Sequence, residues 1–465
     1  MDHRHRQRDH GRASVLVSLK WSPQSWRERE VAQRPPYKDE AALAREVARL
    51  EAMPPLVTPW EVDKLRGFVA DAQEGRRFWL QGGDCAETLG GAPESVVSML
   101  KVLLQMSLVL VHAGKRPVIR VGRIAGQYAK PRSSAMEART VAGSRVELPS
   151  YFGDLVNRSA FTKEAREPDP SLLVTGYQQA ALTLNYIRSL SAVGFADLHH
   201  PENWDLAFLD RASLPDSLRV AYQAMTERVS EAVRFMEALG EARVEELTRV
   251  EFFTSHEGLL LDYEAAQTKP FRDRYYDLTA HLIWIGERTR SLSGAHVEFF
   301  RGIANPVGIK VGPNAVPADI VEVVRTLNPD NAAGKIVLIP RFGAARVAIG
   351  LPALIAAVQA AQLRVLWVCD PMHGNTRATA SGVKTRHYED VASEIDASFV
   401  AHAQAGTILG GVHLELTGDD VTECIGADMS EADLDRNYAS LCDPRLNYRQ
   451  ALELAFRLAE RMRGA

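Results

Sequence analysis

Cysteine is scarce: Cys85, Cys369, Cys424 and Cys442 are the four in a chain of 465 residues. So few, so dispersed, do not make a disulfide framework, and reduced thiols in a cytoplasmic protein are expected. No run approaches the roughly 18 consecutive apolar residues of a membrane span, so no membrane partner is expected. Net positive charge is also missing. The formal charge is −4, which excludes a surface that attracts nucleic acid as a whole and confines any anion site to a local basic pocket. There is no internal repeat and no low-complexity stretch. The opening MDHRHRQRDHGRAS lacks the apolar core of a secretory signal, and its acids disfavour a transit peptide. Its three histidines read as part of a tail.

What the chain does have is a series of apolar strands that each stop at a polar or glycine-rich loop. They are RRFWLQ before GGDCAE, PVIRV before GRIAGQYAKPRS, VEFFT before SHEG and HLIWIG before ERTR. Then come VGIKV before GPN, KIVLIP before RFG, RVLWV before CDPMHGN and GVHLEL before TGDD. Most intervals can hold a helix, for example 315–327, 344–361 and 388–404. Eight strand–helix units predict an α/β fold, a closed parallel (β/α)8 TIM barrel, with a doubly wound open sheet as the alternative. Residues 1–75 read as a tail and N-terminal helical extension, and 76–465 as the catalytic barrel. The long interval between the second and third strands reads as a helical insertion over 160–248, with amphipathic stretches at 172–192 and 215–250.

In such barrels the chemistry lies at the C-terminal ends of the strands, and the residues there are informative. Cys85 follows the first strand, and Arg123, Lys130 and Arg132 follow the second. His256 and Glu257 follow the third, and Glu287 and Arg288 the fourth. Lys310 ends the fifth, Arg341 follows the sixth, His373 the seventh, and Glu415 lies in the eighth. In that last strand Val412, Leu414 and Leu416 take one face, and His413, Glu415 and Thr417 the other. The polar set is expected to point into the barrel. There Glu415 needs a metal or a cation, and a buried ion pair with a barrel lysine is the plainer reading. Cys85, His373 and Glu415 offer a thiolate, an imidazole and a carboxylate, to which Asp443 in LCDPRLN could add. Such a mixed set suits manganese, iron, cobalt or zinc. The run VGRIAGQYAKPRSS supplies glycines, cations and hydroxyls of the kind that hold phosphate. With Arg288, Lys310 and Arg341 it offers more positive charge than one small monoanion needs, and so predicts two anionic groups or substrates.

LQGGDCAE, LPSYFGD, SHEGLLLDYE, HLIWIGERTR, ANPVGIKVGPN, CDPMHGNT, GVHLELTGDDVTECIG and CDPRLN, together with VGRIAGQYAKPRS, resemble the type II 3-deoxy-D-arabino-heptulosonate 7-phosphate (DAHP) synthases. The resemblance implies a metal-dependent (β/α)8 transferase that condenses phosphoenolpyruvate with erythrose 4-phosphate, the first step of the shikimate pathway. It implies Cys85, His373, Glu415 and Asp443 as ligands of a divalent metal, manganese first, with cobalt, iron or zinc as alternatives. It places Arg123, Glu287, Arg288, Lys310 and Arg341 around phosphoenolpyruvate, with Arg123, Glu287 and Lys310 catalytic. Lys130, Pro131, Arg132 and Ser133 meet the erythrose phosphate. It further implies a homo-oligomer, a dimer or larger, with a chorismate mutase as a candidate partner. Two positions depart from the family pattern: Phe152 stands where arginine is usual, and Arg158 where glycine is usual. An amino-substituted acceptor, as in antibiotic pathways, therefore stays open, as do a Schiff-base aldolase using Lys310 and a catalytically silent regulatory paralogue.

Overall fold

The computed structural model describes residues 21–192 and 250–463, with a few positions between 216 and 231. Eight short strands form its centre: β1 Phe78–Gly83, β2 Val118–Arg123, β3 Phe253–Glu257, β4 Leu282–Ile285, β5 Val307–Val311, β6 Ile336–Pro340, β7 Leu366–Cys369 and β8 Leu409–Glu415. Each lies parallel to its neighbour in sequence. β1 closes on β8, with Trp79 opposite Gly411 and Gly83 opposite Glu415. The (β/α)8 barrel expected from the strand pattern is the fold.

The strands are apolar on both faces because they serve two cores. In β6, Val337 and Ile339 pack inward with Trp79, Val121, Trp284 and Val368, while Ile336 and Leu338 belong to the layer between strands and helices. Each such aliphatic side chain contributes about 1.5–3 kcal/mol relative to an exposed one. Below, the inner core continues into Leu65, Val69 and Ala72 of a helix at Pro59–Gln73, which closes the N-terminal end of the barrel. That helix starts on a capping box: Thr58 Oγ1 accepts from the Glu61 N–H, and Glu61 Oε2 accepts from the Thr58 N–H. With this end stoppered, the C-terminal mouth is left for chemistry.

In chain order the longer helices are α1 (Glu40–Glu51), α2 (Pro59–Gln73), α3 (Pro93–Gly114), α4 (Ser171–Ala192), α5 (Pro317–Leu327), α6 (Val347–Ala360), α7 (Tyr388–Gln404) and α8 (Tyr448–Arg463). α3 is long and apolar enough to cross a membrane, yet 67% of its most apolar window is buried inside the fold, where it packs on α8, β1 and β2. The expected helix at 388–404 forms over the whole of that range. Those at 315–327 and 344–361 start two or three residues late, because a turn takes their first residues. α4 realises the first amphipathic stretch of the interval between β2 and β3 and packs against α1. The second, 215–250, lies outside the described residues apart from scattered positions. The same interval also holds an unexpected antiparallel hairpin, Met136–Val141 with Ser144–Pro149. Its two-residue turn, Ala142–Gly143, has positive φ at both positions (48° and 80°), the twist a tight hairpin requires. Its strands are mostly exposed and so lack the apolar alternation that marks a strand in sequence.

Candidate active site

The loop after β1 places Cys85, which is buried, beside the end of β8. Gly83 makes this approach feasible: a Cβ there would lie 2.6 Å from the Arg123 carbonyl oxygen. In β8, Val412 and Leu414 face the helices. His413 and Glu415 turn inward as expected, His413 meeting the Trp284 ring edge-on at 5.2 Å. Cys85 Sγ and one carboxylate oxygen each of Glu415 and Asp443 lie within 4.8 Å of one another. His373 joins them on the Glu415 side, its Nε2 3.1 Å from Glu415 Oε1.

Several features prepare this cluster for a divalent cation. Asp370 Oδ2 bonds His373 Nδ1 at 2.7 Å, which leaves Nε2 available as a donor atom, facing Glu415. Arg386 Nη2 pairs with Glu415 Oε2 at 2.7 Å and helps keep this buried carboxylate ionised. A cation is already drawn among the donors: Lys130 Nζ reaches both Cys85 Sγ and Asp443 Oδ2. Burial disfavours this ammonium, but Cys85, Asp443 and Glu415 outweigh burial and hold its pKa well above the ordinary value. Burial pushes the Cys85 thiol well up, assisted by a hydrogen bond with Cys442. A sulfur, an imidazole nitrogen and carboxylate oxygens converging on a buried ammonium fit a borderline divalent ion.

Beside the cluster opens a cleft of about 220 Å³. Of the residues selected from sequence, Cys85, Arg123, Lys130, Pro131, Arg132, Ser133, Glu287, Arg288, Lys310, Arg341, His373 and Asp443 line it, and Glu415 lies behind them, fully buried. Its cations are Arg123, Lys130, Arg132, Arg288, Lys310, Arg341 and Lys384; its carboxylates are Glu257, Glu287 and Asp443. Seven against three makes a strongly basic pocket in a chain of net charge −4. Arg288 is exposed at the mouth and forms no ion pair among the described residues.

Two of the residues lining the cleft also make contacts within the protein. Arg123 turns most of its donors to the protein, bonding Asp84 O (2.8 Å), Cys85 O (3.1 Å), Glu415 Oε1 (3.0 Å) and His413 Nε2 (2.6 Å). It thus holds the Cys85 loop against β8. Glu287 accepts from Arg290 Nη2 at 2.7 Å and from the Gly312 N–H at 2.5 Å, so both its oxygens are engaged. Phe152 is buried in an apolar cluster, and its carbonyl oxygen accepts from the Lys130 N–H. Arg158 lies 3.5 Å from Asp154. Neither side chain lines the cleft. His256 bonds Glu264 Oε1 at 3.0 Å instead of facing the cleft.

Asp370, Lys384 and Arg386 were not selected from sequence, and Glu257 was placed at the end of its strand without a role. Asp370 and Glu257 carried a signal, since alternation in their strands turns both inward with Val368 and Ser255. Asp370 Oδ2 also lies 2.5 Å from Lys310 Nζ. Glu257 is half-buried beside the cleft with Oε1 unpartnered, and desolvation raises its pKa against the pull of Lys310, His373 and Arg123.

A parallel barrel with metal donors at its mouth, next to a basic cleft, defines an enzyme of anionic substrates that works with a cation. A family model described as the class-II DAHP synthetase family matches residues 21–459. A Neurospora crassa protein named phospho-2-dehydro-3-deoxyheptonate aldolase is 46% identical over 464 residues, covering 95% of this chain and 94% of its own. One of the same name from Streptomyces coelicolor is 44% identical over 457 residues, covering 97% and 100%. Another phospho-2-dehydro-3-deoxyheptonate aldolase, from Mycolicibacterium smegmatis, is 44% identical over 441 residues, covering 93% and 92%. The chain belongs to the class-II DAHP synthetase family.

Proposed function

We propose the following roles for the residues of this site. The chain is a 3-deoxy-7-phosphoheptulonate synthase, a metal-dependent transferase that joins phosphoenolpyruvate to erythrose 4-phosphate and releases phosphate. The observation that carries the assignment of roles is the cluster of Cys85, Glu415 and Asp443, flanked by His373, on the wall of a cleft lined by seven cations. Manganese is the ion we assign to these four donors; cobalt, iron and zinc are the alternatives. When bound, it supplies Lewis acidity toward the aldehyde oxygen of the acceptor.

Lys310, Arg341, Arg288 and the uncommitted donor of Arg123 hold the phosphate and carboxylate of phosphoenolpyruvate. Lys130, Pro131, Arg132 and Ser133 hold the erythrose phosphate. The cations offset the repulsion between two polyanions and keep the enol carbon in near-attack position. That carbon bonds to the aldehyde carbon, and the aldehyde oxygen takes up a proton. Water then adds at the former enol carbon, and phosphate leaves from the resulting hemiketal. Glu257, which lines the cleft, accepts the proton of the attacking water. Glu287, held by Arg290 and the Gly312 N–H, shapes the pocket. A homo-oligomer and a chorismate mutase partner belong to the same proposal and rest on the family resemblance; a cytoplasmic location rests on the cysteine usage and the division at residue 75 on the sequence pattern.

The test is phosphate release measured with each substrate alone and with both. Release that requires both substrates, stops on chelation and returns with manganese supports the reading. Release from phosphoenolpyruvate alone, or turnover indifferent to chelator, contradicts it.

Lys310 adds a pH dependence. Burial pushes its pKa down to about 8, against the opposing pull of Asp370. The ammonium is charged below that value and neutral above it. On the alkaline side kcat/KM for phosphoenolpyruvate is expected to fall about tenfold per pH unit, since kcat/KM reports ionisation of the free enzyme. A Lys310→Arg variant, whose cation does not titrate there, should lose that limb. An unchanged alkaline profile in the variant assigns the limb to another group.

A further inference from the structure

Glu394 lies on α7, behind the barrel, and is 1% exposed. Its Oε1 accepts from the Phe342 N–H at 2.8 Å and the Gly343 N–H at 2.9 Å, in the turn that follows Arg341. Its Oε2 accepts from Asn375 Nδ2 at 2.8 Å, two residues beyond His373. Among the described residues it forms no ion pair, and its carboxyl oxygens are met by N–H groups from two different loops. A buried carboxylate without a cation is costly, and no step of the reaction uses it.

The two loops it joins are fitted to each other. Asn375 Oδ1 accepts from the Ala344 N–H at 2.9 Å, and Arg341 Nη2 donates to His373 O at 2.9 Å. Gly343 has φ +86°, and a Cβ on it would fall 2.7 Å from Gly374 O, so the backbones meet where no side chain fits. One loop carries a cation for phosphoenolpyruvate and the other a metal ligand. Lys130 and Arg132, on the acceptor side, come from the loop after β2 and touch none of these groups.

We infer that Glu394 is a positioning residue, a buried clamp that sets Arg341 and His373 in one fixed relation, so that the metal and phosphoenolpyruvate are bound by a single rigid unit. The inference rests on the roles proposed above. It predicts that metal affinity and the phosphoenolpyruvate KM are coupled through a residue that touches neither.

Glu394→Gln is the informative change. It keeps the shape and one acceptor oxygen, but sets an NH2 group against the NH2 of Asn375, so the clamp opens at the His373 side. Manganese affinity, measured by titration of metal-free protein with electron paramagnetic resonance detection, should weaken by about tenfold or more, the range seen when groups supporting metal ligands are removed. The phosphoenolpyruvate KM should rise by a similar factor, with the erythrose 4-phosphate KM within about twofold of wild type. Glu394→Ala should exceed both shifts; if it does not fold, the glutamine variant carries the test. A folded Glu394→Gln protein with wild-type manganese affinity and phosphoenolpyruvate KM overturns the inference. So does one whose two KM values rise equally. Failure of the function itself would be read separately, in the wild-type phosphate-release assay.

Discussion

Cys85→Ala is expected to lose tight manganese binding and on the order of 10³-fold in kcat/KM, which is about 4 kcal/mol of transition-state stabilisation. Cys85 supplies the sulfur of the proposed ligand set and lies within 4.8 Å of Glu415 and Asp443 donor atoms. Without it, two carboxylates face each other across the gap, offset by Lys130, Arg123, Arg386 and Lys384. The fold should survive, because Cys85 belongs to a small cluster with Tyr151 and Cys442, away from the barrel cores. Cys85→Ser refines the result. A hydroxyl oxygen serves a hard ion better than a soft one, so the serine variant should retain more affinity for manganese than for zinc. Isothermal titration of metal-free proteins reads both. An alanine variant that binds manganese as wild type does would remove Cys85 from the site.

Lys310→Met is expected to lower kcat/KM for phosphoenolpyruvate by on the order of 10² to 10³-fold. The ammonium sits in the cleft between Asp370 and the face of Trp284, with Nζ 5.7 Å from the ring centroid. Methionine fills the space but leaves Asp370 without its ammonium partner beside His373, so metal affinity should also fall, by less. The decisive variant is Lys310→Arg. A guanidinium keeps the charge but forms no imine, so the electrostatic role predicts measurable residual turnover, and a Schiff-base mechanism predicts none. In parallel, borohydride added to wild type with both substrates should leave it active. Irreversible inactivation by borohydride, with loss of turnover in the arginine variant, would establish the imine route.

The barrel was legible in sequence because each strand ends where a polar or glycine-rich loop begins, and because β8 alternates so strictly that His413 and Glu415 had to share the inner face. The cleft was legible for the same reason: cations and metal-ligand types cluster at strand ends. What was not legible depends on spatial partners. Nothing about Arg123 in the chain tells that its guanidinium is turned to the Cys85 loop and β8. Glu287 stands in a motif, yet its oxygens are engaged by Arg290 and a backbone N–H. Glu394 looks like one more acidic residue on an amphipathic helix. Its place against the Phe342–Gly343 turn appears only once β6, β7 and α7 are packed. The hairpin after β2 was missed because its strands bury little and show no apolar alternation.

The central claim is that Cys85, His373, Glu415 and Asp443 bind one divalent ion. X-ray absorption at the manganese edge of the reconstituted protein tests it most directly. The account predicts one sulfur in the shell, together with nitrogen and oxygen donors including a histidine, and loss of the sulfur signal in Cys85→Ala. A shell of nitrogen and oxygen alone in the wild-type protein would contradict it.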